Sequence, residues 1–196
     1  MAGETSKDKI IRTAWDLFYE KGYDATTLND IIEKAGVAKG TFYYHFPSKD
    51  TLLNTLSTIL DEQYERLDHE LPEDMNAFDA LMYLNAEVHQ YIEDHIDYRL
   101  MASLYSAQLL NEDRCNLLDK NRYYFRLLTR IIETGQQRGE IIADKSASEI
   151  VKLYGLCERA LVTDWCMNNG NYSLGEKSRD WMPYLFGMFR ATPERA

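Results

Sequence analysis

Lys39, Gly40, Thr41, Tyr43, Tyr44 and His45 crowd hydrogen-bonding side chains into one short stretch of the chain. Ammonium, hydroxyl and imidazole groups donate to acceptors, and the glycine among them lets another surface approach the backbone closely. An anionic, acceptor-rich partner suits that set. Phe42 and Phe46, four residues apart, give the same stretch an apolar side to turn inward, so a helix starting near Ala38 would spread the polar residues over its remaining surface. Pro47 stops that helix and Ser48 is placed to cap the next. Lys49 then falls in a first helical turn, where backbone amides already attract anions and a lysine is unfavourable unless an anion is near. That makes Lys49 the strongest candidate for an anion contact.

The elements that must position these residues are legible upstream. Thr27 can cap a helix whose apolar side is Leu28, Ile31 and Ile32, and Asp30 three residues on completes a capping-box pair. Gly36 follows where a left-handed backbone turn fits, and Val37 can pack into the angle between this helix and the one from Ala38 to Phe46. Thr5 or Ser6 can cap an earlier helix carrying Ile10, Ile11, Ala14, Leu17 and Phe18 at helical spacing, ended by Gly22. The three enclose a core of Ile10, Ala14, Phe18, Ile31, Ile32, Val37, Phe42 and Phe46. A unit of that size is marginal alone, and a long helix from Ser48 to about Glu70 is expected to tie it to the rest. Two short helices joined by a tight turn have the form of a helix-turn-helix, which where it binds DNA sets its second helix in the major groove with N-terminal side chains toward base edges. Lys39 is therefore the candidate for base contact, since lysine donates to guanine O6 and N7.

With these residues assembled, AGVAKGTFYYHFPSKDTLL resembles the signature of the TetR family of bacterial transcriptional regulators, and the approach WDLFYEKGYDATTLNDII agrees with it. The resemblance covers about the first 55 residues; beyond them only length, helical content and order of elements agree. It implies that Thr27, Thr41, Tyr43, Tyr44, His45 and Lys49 hold the DNA backbone or line the groove beside Lys39 and Gly40. It further implies a ligand-responsive homodimer, most often a repressor, on a pseudo-palindromic operator.

Charge and composition are compatible with that reading. The net charge is −10, but residues 1–50 hold 7 Lys and Arg against 8 Asp and Glu, leaving 15 against 24 in the remainder, so the acid lies in the C-terminal part. An acidic body behind a near-neutral head disfavours non-specific adhesion to DNA and biases which face meets it. The longest uncharged run is 12 residues, Leu100 to Asn111, short of the roughly 18 a membrane helix needs, and the first residues carry no apolar signal core; a cytoplasmic protein off the membrane is expected. Cys115, Cys157 and Cys166 form no CxxC pair and are read as buried reduced thiols.

The remaining apolar residues recur at helical, never strand, spacing, so the fold class is all-α: a helix-turn-helix head, residues 1–50, on a larger helical body, residues 51–196, about nine helices in all. Helical stretches fall near 75–95, 98–110, 114–138, 146–165 and 176–189. The last two are apolar beyond what one core uses and are read as the homodimer interface, against the simpler possibility that they complete a monomer. Fourteen tyrosines, many in the body, suit an apolar or aromatic small-molecule effector. Tyr105, Gln108, Tyr124 and Trp165 lie on the helices that enclose the pocket in similar proteins. Arg122, Arg126 and Arg130 stripe one helix face and are expected to pair with carboxylates; His89 and Glu93 are read as a surface ion pair. No HExxH, di-iron Glu-x-x-His, phosphate loop or GxSxG is present, so neither a catalytic residue, a metal site nor a cofactor is expected. The alternative is a helical small-molecule-binding or protein-interaction module that does not bind DNA.

Overall fold

A computed structural model describes residues 5–110 and 116–191, and every regular element among them is helical. Their only strand-like feature is an isolated bridge between Ile141 and Arg190. Among the described residues, nine helices and one four-residue turn, α4, make up the fold: α1 (Ser6–Lys21), α2 (Leu28–Ala35), α3 (Lys39–His45), α4 (Asp50–Leu53), α5 (Thr55–Glu70), α6 (Ala77–His95), α7 (Tyr98–Leu110), α8 (Tyr123–Gln137), α9 (Ala147–Met167) and α10 (Leu174–Phe186). Cys115 lies outside the described residues. Cys157 and Cys166 are free thiols, each part-buried rather than fully enclosed.

The chain divides into two compact units, the first comprising residues 1–59 and 99–118 and the second residues 60–98 and 119–196. In the first, Thr5 and Thr27 head α1 and α2 through reciprocal capping boxes with Asp8 and Asp30. Gly36 ends α2 at φ 62°, a left-handed conformation that glycine adopts without a Cβ penalty. Ile10, Ala14, Phe18, Ile31, Phe42 and Phe46 are buried as their spacing predicts, whereas Ile32 and Val37 are half-buried at the rim. Trp15 closes one side by donating from Nε1 to Thr55 Oγ1 at 3.0 Å.

The expected long helix is interrupted. Ser48 does not cap it: Lys49 is the flanking residue of α4, and Thr51 Oγ1 donates back to the Ser48 carbonyl at 2.5 Å. Asn54 separates α4 from α5, and its carbonyl accepts from the Ser57 hydroxyl while its side-chain oxygen accepts from Gln108 Nε2 at 3.1 Å. These local bonds compete with the helical ladder, which spacing alone does not reveal.

In the second unit α10 packs chiefly on α6 and α9, and α8 packs on α6 and α9. Leu81, Leu84, Leu128, Ile132, Ile150, Tyr154, Met182 and Phe186 are fully buried at its centre. Asn76, Ser146 and Ser173 cap α6, α9 and α10.

Candidate functional site

Along α3 the two faces have separated. Phe42 is wholly buried, with Phe46 behind it, while Lys39, Gly40, Tyr43 and Tyr44 are exposed, Tyr44 at 84%. Tyr44 does not pack on α1; its ring lies edge-on to His45 at 4.9 Å. Lys39 carries its ammonium 6.0 Å from the Tyr43 ring, so the two side chains share one patch. A Cβ placed on Gly40 would meet no atom within 4 Å. Neither backbone conformation nor internal packing requires glycine there, although glycine costs a helix about 1 kcal/mol relative to alanine. Nothing among the described residues accounts for glycine at this position.

Thr27 serves as a cap, accepting from Asp30 N at 3.2 Å, and Asp30 answers at Thr27 N at 2.7 Å. Asp30 also receives the Lys21 ammonium at 2.6 Å; its bonds from Lys21 and Thr27 hold its carboxyl below the usual range. Lys49 departs from the expectation of a cation awaiting an anion. Its ammonium donates to the Tyr23 and Thr26 carbonyls at 2.8 and 3.0 Å and lies 4.0 Å from the Tyr23 ring, and burial lowers its pKa. Tyr23 in turn donates its hydroxyl to Asp50. Lys49 thus clamps the turn ahead of α2 to the start of α4. Backbone carbonyls accept from the ammonium and the carboxylates of Asp24 and Asp50 supply nearby negative charge, so part of the compensation expected from an external anion comes from within the chain. Beside the clamp, in the same unit, an open cleft of about 460 Å³ is bordered by Tyr23, Asp24 and Asp50 and by Arg99, Ser103 and Ser106 of α7.

The four candidate effector residues divide between the two units. Tyr105, half-buried, and Gln108, which also accepts from Leu117 N at 3.4 Å, belong to the first. Tyr124 and Trp165 belong to the second: Trp165 is committed to the Tyr172 carbonyl at 3.0 Å, and Tyr124 gives its hydroxyl to Glu158. Arg122 pairs with Asp61 at 2.8 Å and Arg130 with Asp68, as expected; Arg126 instead donates to the Asn121 carbonyl and lies over the Tyr123 ring.

His89 and Glu93 are not a surface pair. His89 is 2% exposed, with Nδ1 2.5 Å from Ser178 Oγ, and burial without a charged partner pushes its pKa down to about 3. Glu93 accepts from Ser173 Oγ and Gly175 N, joining α6 to the start of α10. Glu158, absent from the sequence-based candidates, is buried, and desolvation raises its pKa against the bonds from Tyr124, Asn85 and Tyr64 and the charge of Arg159. A signal was available: position 158 shares a helical face with Val151, Tyr154, Leu161 and Trp165, where a carboxylate is out of place. Among the described residues no group of three or more His, Cys, Asp and Glu is placed to hold a metal ion, and no helix is long and apolar enough to cross a membrane.

A three-helix unit that buries one side of its last helix and presents lysine, glycine and tyrosines on the other is a helix-turn-helix DNA-binding head, carried here with a larger helical body. Residues 10–56 match the family described as bacterial regulatory proteins, tetR family, and residues 57–186 match the C-terminal region of YsiA-like proteins. The chain belongs to the TetR family of bacterial transcriptional regulators. It is 25% identical over 201 residues to the HTH-type transcriptional regulator TtgR of Pseudomonas putida, covering 97% of this chain and 94% of that one. The head alone is 54% identical over 46 residues, 24% of this chain and 25% of the other, to IcaR of Staphylococcus aureus (strain Newman), a negative transcriptional regulator of the biofilm operon icaADBC. Among solved structures, the TetR-family repressor FadR of Thermus thermophilus in complex with lauroyl-CoA superposes with a TM-score of 0.73 at 21% identity, covering 97% of this chain and 98% of that one, a likeness of fold.

Proposed function

We propose that this protein is a homodimeric, effector-responsive repressor that binds a pseudo-palindromic DNA operator in the cytoplasm and catalyses no reaction. The observation that carries the reading is the outward face of α3, where exposed Lys39, Tyr43 and Tyr44 surround a glycine that the fold does not need. Lys39 reads a base edge, Gly40 admits the DNA backbone, and Thr27, Thr41, Tyr43, Tyr44 and His45 hold phosphates or line the groove. Lys49, held by carbonyls, acts on DNA by fixing the turn before α2 and keeps only its remaining donor capacity for a phosphate. In this reading the head, residues 1–50, binds DNA and the body, residues 51–196, responds to ligand and dimerises.

Leu156 and Met167 on α9, Trp181, Tyr184 and Leu185 on α10, and Met188 just beyond it are exposed, Met167 to 77% and Tyr184 to 83%. Apolar surface of that extent supports pairing of these two helices with those of a second copy. Such a dimer would set two recognition helices about 34–36 Å apart, one turn of DNA. IcaR's description as a negative regulator supports repression, and FadR's complex with lauroyl-CoA supports a body that takes a small molecule. For this chain the abundance of tyrosine favours an apolar or aromatic effector.

Selection of bound fragments from genomic DNA tests the reading. It predicts enrichment of one pseudo-palindromic sequence, with Lys39→Ala weakening binding by about 1–3 kcal/mol and relaxing preference at one position in each half-site. Enrichment of no sequence would contradict it.

A further inference from the structure

The body buries a charge that DNA reading does not use. Glu158 of α9 accepts from Tyr64 Oη on α5 at 2.9 Å, from Asn85 Nδ2 on α6 at 3.2 Å and from Tyr124 Oη on α8, while the neighbouring Arg159 acts on it through its charge without a hydrogen bond between them among the described residues. The Asn85 amide also faces His89 Nε2 at 3.5 Å, and His89 reaches Ser178 on α10. One carboxylate thus joins four helices directly and a fifth through His89.

Two features mark this cluster as more than a structural bond. Asn85 Oδ1 is buried and has no hydrogen-bond partner, and turning the amide over only transfers the deficit to its nitrogen. Desolvation of the carboxylate outweighs both the hydrogen bonds from neutral donors and the nearby charge of Arg159, so its pKa stays raised. Well-packed apolar side chains would hold the same helices together at lower cost. The walls are tyrosines: the Tyr64 and Tyr124 rings stand 5.1 Å apart, and Tyr154 is buried one turn before Glu158. A buried carboxylate held only by neutral donors, beside aromatic faces and an unsatisfied acceptor, has the chemistry that attracts an organic cation.

Tyr64 gives the cluster a route to the head. It lies on α5, one unbroken helix whose first residues belong to the compact unit containing the recognition helix and whose residues from Leu60 onward belong to the second unit. Tyr124 makes an equivalent bond from α8, which has no such continuity. Resting on the effector-responsive reading above, we propose that Glu158 anchors the cationic group of the effector, which displaces the Tyr64 hydroxyl, frees α5 from the body's core and lowers operator affinity.

The test uses benzyltrimethylammonium and its uncharged isostere neopentylbenzene, titrated calorimetrically into the full chain without DNA, followed by operator titrations of wild type, Glu158→Gln, Tyr64→Phe and Tyr124→Phe. The cation is expected to bind wild type, roughly tenfold more weakly to Glu158→Gln, and to lower wild-type operator affinity about fivefold or more. The isostere should bind wild type and Glu158→Gln alike. Without any ligand, Tyr64→Phe should lower operator affinity about fivefold while Tyr124→Phe, which loses a like bond and a like amount of thermal stability, stays within about twofold. Failure of the cation to bind wild type, equal binding by Glu158→Gln, or equal effects of the two tyrosine substitutions on the operator would overturn the inference. If wild type selects no operator, the repressor reading fails, while the titration without DNA still decides the cation site.

Discussion

Head and body place their polar residues on opposite sides. In the head an apolar interior built on Phe42 buries only the small hydroxyls of Thr13 and Thr26 and turns Lys39, Tyr43 and Tyr44 outward, whereas the body encloses Asn85, His89, Glu158 and Ser178 and leaves Met167, Tyr184 and Met188 exposed. Outward polarity on a small core reads one external surface and needs few internal partners. Inward polarity is costly, has to be matched group by group, and leaves the helices sensitive to whatever exchanges one of those partners. The head is built for a fixed recognition, and the body for a state that can be shifted.

The contrast can be broken most severely at its cores. Phe42→Ala should cost about 3–5 kcal/mol, comparable with the whole stability of so small a unit. Circular dichroism should then show a largely helical body that no longer binds operator; a head that melts as in wild type would mean that Phe42 is not its keystone. The body's buried polarity should show in acid. His89 titrates near 3 when folded against an ordinary 6.5, so the unfolded chain binds the extra proton between those values and stability falls as pH drops through that window. The slope reaches at most about 1.4 kcal/mol per pH unit. Glu158 acts in the opposite sense, because its raised pKa makes the folded chain hold a proton longer as pH rises. Denaturant melts of wild type and His89→Gln between pH 7 and 4 isolate the histidine: the difference between them should shrink as pH falls, and a constant difference would show that His89 is not buried neutral. Smallest is the cap. Thr27→Ala should lower stability by about 1 kcal/mol and weaken operator binding modestly, because the amide it orients lies at the start of α2; a change in binding with no change in melting would assign Thr27 to DNA alone.

Much of this was written locally in the chain, and where it was not, the reasons are physical. Thr27, Asp30, Gly36 and the Phe42/Phe46 spacing specify the helix-turn-helix through bonds and contacts within about 20 residues, so the head is legible from one stretch. Lys49 was legible as a cation that needed compensation, but the carbonyls of Tyr23 and Thr26 that supply part of it come from 23 to 26 residues away. The Glu158 cluster draws partners separated by 34 to 94 residues, and no spacing rule within a helix brings Tyr64, Asn85 and Tyr124 to one carboxylate. His89 misled for the same reason: a histidine four residues before a glutamate resembles a surface pair until α10 covers it. Membership of the family was legible in the head, and the match over residues 57–186 extends it to the body.

The central claim, that the exposed face of α3 is shaped by contact with DNA, is tested most directly by Gly40→Ala. The added methyl meets nothing in the fold, so helix propensity alone should raise thermal stability, by about 0.5–1 kcal/mol. Operator affinity, measured by fluorescence anisotropy on the same samples, should nevertheless fall roughly tenfold or more, about 1.4 kcal/mol, because the methyl occupies the space the DNA backbone uses. A protein that melts higher and binds its operator as tightly as wild type would contradict the account.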